Sequence, residues 1–230
     1  MIDPVYVLKR IPLFATLPEA DLLPLVGLLR RENLRRGETL FRQGDVGMAL
    51  YLILQGRIKI SLSQQTEAVT LAILGQGEFL GEMALLDGLP RSADAIAMED
   101  SYLYALNRGD FLAFLANNEK AVRAVLASLS LRLRRTDKLL AEMCFLNVPV
   151  RLVNKLVELA QAQEPEAPGS QSYRLKISQQ ELGNILGVSR ESINKELKLL
   201  RDRGMVSTSR NTIHIQRLDA LKKTDLRPEG

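Results

Sequence analysis

Residues 177–204 read ISQQELGNILGVSRESINKELKLLRDRG, and this spacing specifies two short helices joined by a tight turn. Ser178 followed by Glu181 has capping-box spacing, so a helix can start there with its first free amides satisfied. Leu182, Ile185 and Leu186 give that helix one apolar face, and Gly187 permits the left-handed backbone that ends it. Ser189 caps a second helix whose Ile193, Leu197 and Leu200 recur at i, i+4 and i+7, with Gly204 as its stop. Arg190, Glu191, Asn194, Lys195 and Lys198 turn away from that stripe. The layout is that of a helix-turn-helix whose second helix enters a DNA major groove. An ordinary packed helical hairpin would show the same caps and stripes, so the rest of the chain must decide.

At 230 residues the chain has room for two modest domains, and 46% hydrophobic with 25% charged residues is a globular composition. Its longest apolar runs, such as residues 49–54, are far too short to span a bilayer. The start, MIDPVYVLKR, lacks the basic segment and long apolar stretch of a secretory signal, so a cytoplasmic protein is expected. One cysteine, Cys144, cannot build a disulfide or a zinc site alone and is expected as a buried apolar thiol near a helix end. The one histidine, His214, is expected on the surface of a strand. With no histidine cluster and no nucleophile–base pair, an enzyme is not expected. Net charge is +4, and its location is informative: residues 1–144 carry 17 basic against 17 acidic residues, whereas 145–230 carry 14 against 10. The surplus lies with the two-helix motif, as a phosphate-backbone partner requires.

Outward from the motif, texture changes along the chain. Residues 1–29 look helical at both ends, with Pro18, Glu19 and Asp21 placed in a first turn. From about Glu32 to Leu106, short apolar runs are punctuated by glycine: TLF, LYLIL, RIKISL, VTLAIL, EFLGEMALL, ADAIAM and SYLYAL. Strands of five or six residues at regular spacing indicate an all-β sandwich or barrel. Beyond Arg108 the helical period returns. Val122, Leu126, Leu129, Leu133, Thr136, Leu140 and Met143 alternate by four and three, a heptad seam that needs a partner. A parallel dimer is the simplest partner; packing of the helix on its own barrel is the alternative. Arg132 and Asp137 fall at the g and following e positions, where parallel strands exchange ion pairs. Pro149 marks a hinge, a helix resumes through Leu159, and residues 161–172 form a polar loop. Residues 205–207 and 212–216 can pair around 209–211 as a small wing, which strengthens the DNA reading.

Residues 77–95, GEFLGEMALLDGLPRSADA, form a second chemical constellation. Gly81 permits close backbone approach, and amides opening a short helix favour a phosphate. Arg91 offers bidentate donors to phosphate oxygens and Ser92 adds a hydroxyl. An ionised Glu82 only accepts, so it would repel phosphate but receive sugar hydroxyls. Together they read a ribose joined to a phosphate. Alternatively, Glu82 and Arg91 simply pair with each other in a loop.

With both constellations in view, the chain resembles the Crp–Fnr superfamily of bacterial transcription regulators, close to its cyclic-AMP receptor branch, over almost its full length. Gly81-Glu82 and Pro90-Arg91-Ser92 match that family's phosphate-binding cassette at the expected separation. The resemblance implies an α+β fold: a β-roll (jelly-roll-like) cyclic-nucleotide-binding domain at 1–117, a dimerisation helix at 118–144 and a winged helix-turn-helix at 145–230. It implies a ligand-gated homodimer with no resident cofactor and with cyclic AMP as effector. Glu82 would hold the ribose hydroxyl, Arg91 and Ser92 the cyclic phosphate, with amides near Gly81 and Met83. Thr136 matches the threonine that reaches the purine, and Arg132 a nearby arginine. Asp137 departs from the family's serine. Either its carboxylate accepts from adenine's exocyclic amine, or it serves only the Arg132 pair. The family's oxygen sensors need an N-terminal cysteine cluster that is absent here, and its haem members need axial ligands that His214 and Cys144 do not supply.

In the reading helix the resemblance assigns Ser189, Arg190 and Glu191 to base recognition, with Asn194 on the same face. Arg190 would take guanine O6 and N7, and Glu191 would accept from cytosine N4. Lys195 stands where the cyclic-AMP receptors have arginine, exchanging a bidentate contact for a point charge. Gln179 and Gln180 would hold phosphates. The implied partner is palindromic double-stranded DNA with TGTGA-like half-sites. RNA polymerase is a further family partner, with loop 161–172 one exposed candidate surface. Two rivals stay open: the same architecture answering to another small molecule or to none, and a nucleotide-binding module acting on a protein partner.

Overall fold

The structure is a computed structural model describing residues 4–64, 67–167 and 169–223. These fall within two compact units, residues 1–66 with 70–135 and residues 67–69 with 136–230. The first begins with α1 (Pro4–Lys9) and α2 (Glu19–Val26). The strands β1 (Arg30–Leu34), β2 (Thr39–Phe41), β3 (Ala49–Gln55), β4 (Ile58–Gln64), β5 (Glu67–Leu74) and β6 (Phe79–Leu80) follow. Next come α3 (Glu82–Asp87), β7 (Asp94–Ala97), β8 (Ser101–Asn107) and α4 (Arg108–Ala116). Two four-stranded sheets result, in the orders β1-β8-β3-β6 and β2-β7-β4-β5.

Side-chain alternation along β3 builds two cores at once. Ile53, with Tyr51 beside it, joins Ile58, Leu74, Leu80 and Leu103 in one apolar cluster. Leu50 and Leu52 join Leu8, Phe14, Leu22, Leu106 and Phe111 in the other, which packs the N-terminal helices and α4 against the β1-β8-β3-β6 sheet. The first of these sheets is therefore buried on both faces along much of β3 and β8. This explains why LYLIL and SYLYAL read as near-continuous apolar runs. β1, RRENL, has almost no apolar signal because it is an exposed edge strand beside β8.

The run EFLGEMALL, expected among the strands, is divided by Gly81. It stops after the two-residue β6, and α3 begins at Glu82. Gly81 holds φ at 86°, in the left-handed region, and a Cβ there would lie 2.5 Å from Arg91 Nη1 and 3.1 Å from the Ala49 carbonyl oxygen. Only glycine meets both demands.

The long helix α5 runs Glu119–Phe145. Ala121 and Val125 are buried, but three seam leucines are open on the chain: Leu126 is 57%, Leu133 63% and Leu140 61% exposed. Cys144 is exposed, against the expected buried thiol, because the apolar cluster covers α5 only along its first turns. The hinge lies where expected: α6 (Val148–Gln161) restarts with Asn147 as N-cap, its side chain accepting the Val150 amide at 3.1 Å.

The second unit continues with β9 (Tyr173–Leu175), α7 (Gln179–Leu186), α8 (Arg190–Asp202), β10 (Val206–Ser209), β11 (Thr212–Ile215) and α9 (Leu218–Lys222). Ser178 Oγ accepts the Glu181 amide at 3.1 Å, and Ser189 Oγ accepts the Ser192 amide at 3.2 Å. Gly187 closes α7 at φ 63°, as the sequence requires. Leu182, Leu186, Ile193, Leu197 and Leu200 pack with Leu152 and Leu156 of α6. The wing is a true hairpin, Val206 opposite Ile215 and Ser209 opposite Thr212. β9 adds a third strand just beyond the 161–172 loop, in a stretch the sequence reading left unassigned; three residues are too few to show a period. His214 lies in β11, with Nδ1 3.7 Å from Glu166 Oε1.

Candidate functional site

Two places collect the sequence-marked residues. In the first unit, α3 opens directly from β6, so Glu82 at its start is carried inward and its side chain is 1% exposed. Arg91 sits on the segment between α3 and β7 and is 4% exposed. Its Nη1 donates to the Gly81 carbonyl oxygen at 2.7 Å and its Nη2 to that of Ala49 at 2.8 Å. The guanidinium lies over the Phe41 ring, 4.2 Å from its centroid. Burial lowers its pKa, and the Tyr51 phenol and Glu82 oppose that shift. Two carbonyls and an aromatic face thus aim the group before any anion is present.

Glu82 and Arg91 do not simply pair with each other. The ion pair of Glu82 is to Arg132, whose Nη1 donates to Oε1 at 2.5 Å while Nη2 donates to the Phe79 carbonyl oxygen. The Arg132 guanidinium also stacks 4.9 Å from the Phe79 ring centroid. Arg132 therefore makes an ion pair within its own chain, where the heptad position had indicated exchange with a partner's Asp137. Of the four buried side-chain atoms without a hydrogen-bond partner among the described residues, two belong to this site, Glu82 Oε2 and Arg91 Nε. Such orphans are costly, at roughly 1–3 kcal/mol for a neutral group and more for a charged one. Both residues border a cavity of about 70 Å³, together with Gly81, Met83, Ser92 and Arg132. Ser92 Oγ lies 3.8 Å from Met83 Sδ, a weak contact that leaves the hydroxyl available. Thr136 and Asp137 occupy the exposed surface of α5, Thr136 one turn beyond Arg132.

In the second unit, the N-terminus of α8 presents Ser189, Arg190, Glu191, Asn194 and Lys195 to solvent, and Gln180 is exposed beside half-buried Gln179 on α7. The buried Ile193, Leu197 and Leu200 hold the opposite face. Gln179, Gln180 and Arg190 border a cleft of about 350 Å³ whose far wall is the wing, including Thr208 and Arg210. Arg201 of α8 donates to Thr208 Oγ1 at 2.7 Å, locking the wing to the reading helix. Arg210 was not singled out in the sequence. Its signal was there in SRNT at the hairpin turn, where Asn211 takes φ 57° and sets an arginine at the tip.

These two sites, one that marries an acceptor to an anchored guanidinium and one that exposes a basic reading helix beside a wing, define a regulator joining a nucleotide pocket to a DNA-binding head. Comparison with known proteins agrees. A cyclic nucleotide-binding domain matches residues 31–118 and a Crp-like helix-turn-helix domain matches residues 150–224. The chain is 32% identical to the Cyclic AMP receptor protein of Thermus thermophilus, over 94% of this chain and 97% of that one. It is 27% identical to the CRP-like cAMP-activated global transcriptional regulator of Mycobacterium tuberculosis, over 94% and 97%. The solved structure of the c-di-GMP responsive global regulator CLP of Xanthomonas campestris superposes with a TM-score of 0.77 at 25% identity, covering 87% of this chain and 99% of that one. The chain belongs to the Crp–Fnr family of transcription regulators. Among the described residues no helix is long and apolar enough to cross a membrane.

Proposed function

We propose that the protein is a cytoplasmic, homodimeric transcription regulator that cyclic AMP switches onto palindromic DNA. The observation that carries the ligand reading is that Glu82 and Arg91, which border one cavity, each hold a buried polar atom without a hydrogen-bond partner, Oε2 and Nε. A ribose hydroxyl would donate to the first and a cyclic phosphate would accept from the second, with Ser92 Oγ and amides near Gly81 and Met83 assisting. Both atoms are desolvated whether or not a ligand is present, so binding satisfies them without a further burial cost. A cavity of about 70 Å³ is smaller than a nucleotide, so the ligand must draw Arg132 off Glu82 as it binds. Thr136 and Asp137 would then meet the purine from α5, and Asp137 would accept from the exocyclic amine of adenine.

The switch is a shift in population. A ligand holding the roll to α5 in one arrangement favours it by its differential affinity. In that arrangement the recognition helices stand about 34 Å apart, one turn of B-DNA. A coupling of roughly 1–3 kcal/mol changes DNA affinity by about 5–150-fold. Ser189, Arg190 and Glu191 would form the recognition segment, Arg190 and Glu191 reading a G·C pair, with Asn194 and Lys195 at the next positions, Gln179 and Gln180 on the backbone and TGTGA-like half-sites as the target. RNA polymerase is the proposed protein partner.

Calorimetric titration of the native protein and Arg91→Gln with cyclic AMP, repeated with cyclic di-GMP, tests the reading. Cyclic AMP should bind the native protein, and Arg91→Gln should lose about 100-fold in Kd, or about 2.7 kcal/mol. Heat from cyclic di-GMP alone would reassign the effector, in line with the ligand named for the CLP structure. Heat from neither would remove ligand control.

A further inference from the structure

The first unit carries a concavity larger than the Glu82–Arg91 cavity. A groove of about 650 Å³ lies on the β1-β8-β3-β6 sheet, where the N-terminal segment stops covering it. Strand register explains its lining. Asn33 of β1 pairs opposite Tyr102 of β8, and Tyr102 opposite Gln55 of β3, so these three side chains form one row across three strands. Arg31 pairs opposite Tyr104 in the row beside it. The second wall comes from α1 and the segment after it, with Tyr6, Arg10 and buried Ile11. Gly77 lets the walls close: its φ is 85°, and a Cβ there would stand 3.3 Å from the Arg10 carbonyl oxygen. Leu54 and Tyr104, whose side chains join the core on the N-terminal-helix side of the sheet, line the groove with apolar surface.

The composition of this groove is not that of bare surface. Tyr6 is 59% and Tyr102 48% exposed, so two aromatic rings are open to solvent at the mouth of an apolar cleft. Arg10 sits 5.8 Å from the Tyr6 ring centroid. Among the described ion pairs, none takes the guanidinium of Arg10 or Arg31. A volume of this size falls in the range of pockets that enclose small molecules, about 300–1,000 Å³. Among the described residues, no carboxylate borders the groove.

We propose that this groove is a second small-molecule site, separate from the nucleotide cavity, and that its ligand is an aromatic anion. A planar ring would stack on Tyr102 and Tyr6 against the apolar surface of Leu54 and Tyr104. Its carboxylate, sulfonate or phosphate would take the fork of Arg31 with Arg10 opposite. Ring heteroatoms would meet the amides of Asn33 and Gln55, which both donate and accept. Because Tyr104 and Ile11, both at the groove, also belong to the core carrying Ala121 and Val125 of α5, a ligand here presses on the packing that seats the long helix.

The probe is 8-anilinonaphthalene-1-sulfonate, an aromatic anion whose emission rises in an apolar site. The full-length protein should bind about one equivalent per chain. Arg31→Gln combined with Tyr102→Ser should weaken that binding at least tenfold, whereas Glu82→Gln should leave it unchanged. Both groove side chains are exposed, and circular dichroism checks that the fold survives; if it does not, Arg10→Gln on the facing wall must give the same loss. Equal binding by native and groove variants, no binding by the native protein, or loss in Glu82→Gln alone would each overturn the proposal.

Discussion

Gly183 shows how much a single position decides. It lies in α7 with its missing Cβ aimed at α8, 2.7 Å from the Val188 carbonyl oxygen and 3.6 Å from the Arg190 amide nitrogen. Alanine would gain about 1 kcal/mol of helix propensity. It would also force backbone apart, and overpacking costs about 1–3 kcal/mol where little can yield. The clash is with backbone, so we expect Gly183→Ala to lower stability by about 1 kcal/mol net, read from denaturant midpoints. Gly27, with open space around its absent Cβ and φ of −69°, is the control: Gly27→Ala should be neutral or mildly stabilising. Arg190 tests the reading helix at the same scale. Arg190→Ala should cost about 1–3 kcal/mol against the preferred site and relax discrimination at one base pair. Gln180→Ala should weaken all sequences alike. Competition gel shifts against single-base variants separate the two patterns.

At the scale of elements, the loop between α6 and β9 is not free chain. The Glu166 amide donates to the Ser172 carbonyl oxygen at 2.9 Å, and its carboxylate accepts from Ser172 Oγ at 2.7 Å and Arg174 Nε at 2.9 Å. The Ser172 hydroxyl, chiefly, then Arg174 and His214, hold its carboxyl below the usual glutamate range. A lowered folded-state pKa places the contribution of this carboxylate fully above the ordinary glutamate value and removes it as pH falls through the lowered one. Amide exchange at Glu166 should therefore lose protection on acidification across that window, and Glu166→Gln should abolish the pH dependence. A flat profile in the native protein would remove the assigned role. The contrast with the sequence is instructive here. Proline, glycine and polar residues made a loop legible between residues 161 and 172, but β9 and its tether were not. β9 rests on pairing with β11, far along the chain.

For the whole molecule, the exposed row on α5 is the central fact. Leu126, Leu133 and Leu140 recur every seven residues, and each contributes about 1.5–3 kcal/mol when fully covered. A second copy of the same helix is the partner that a heptad row fits. Leu133→Glu with Leu140→Glu should convert the proposed dimer to single chains of 25.7 kDa in sedimentation, with loss of the proposed binding to palindromic DNA. A native protein that sediments as a single chain would defeat the homodimer reading. Both capped helices of the motif, the glycine-punctuated strands, the seam and the Glu82–Arg91 cassette were legible from local sequence. Caps, turns and apolar periods are properties of residues a few positions apart, and a short chain segment expresses them without help. Only the tertiary structure decided that Arg132 takes Glu82, that two backbone carbonyls aim Arg91, and that Asn33, Tyr102 and Gln55 share one row. All but the Arg91–Gly81 contact join residues dozens of positions apart, and sheet register and helix packing choose such partners where no local rule can.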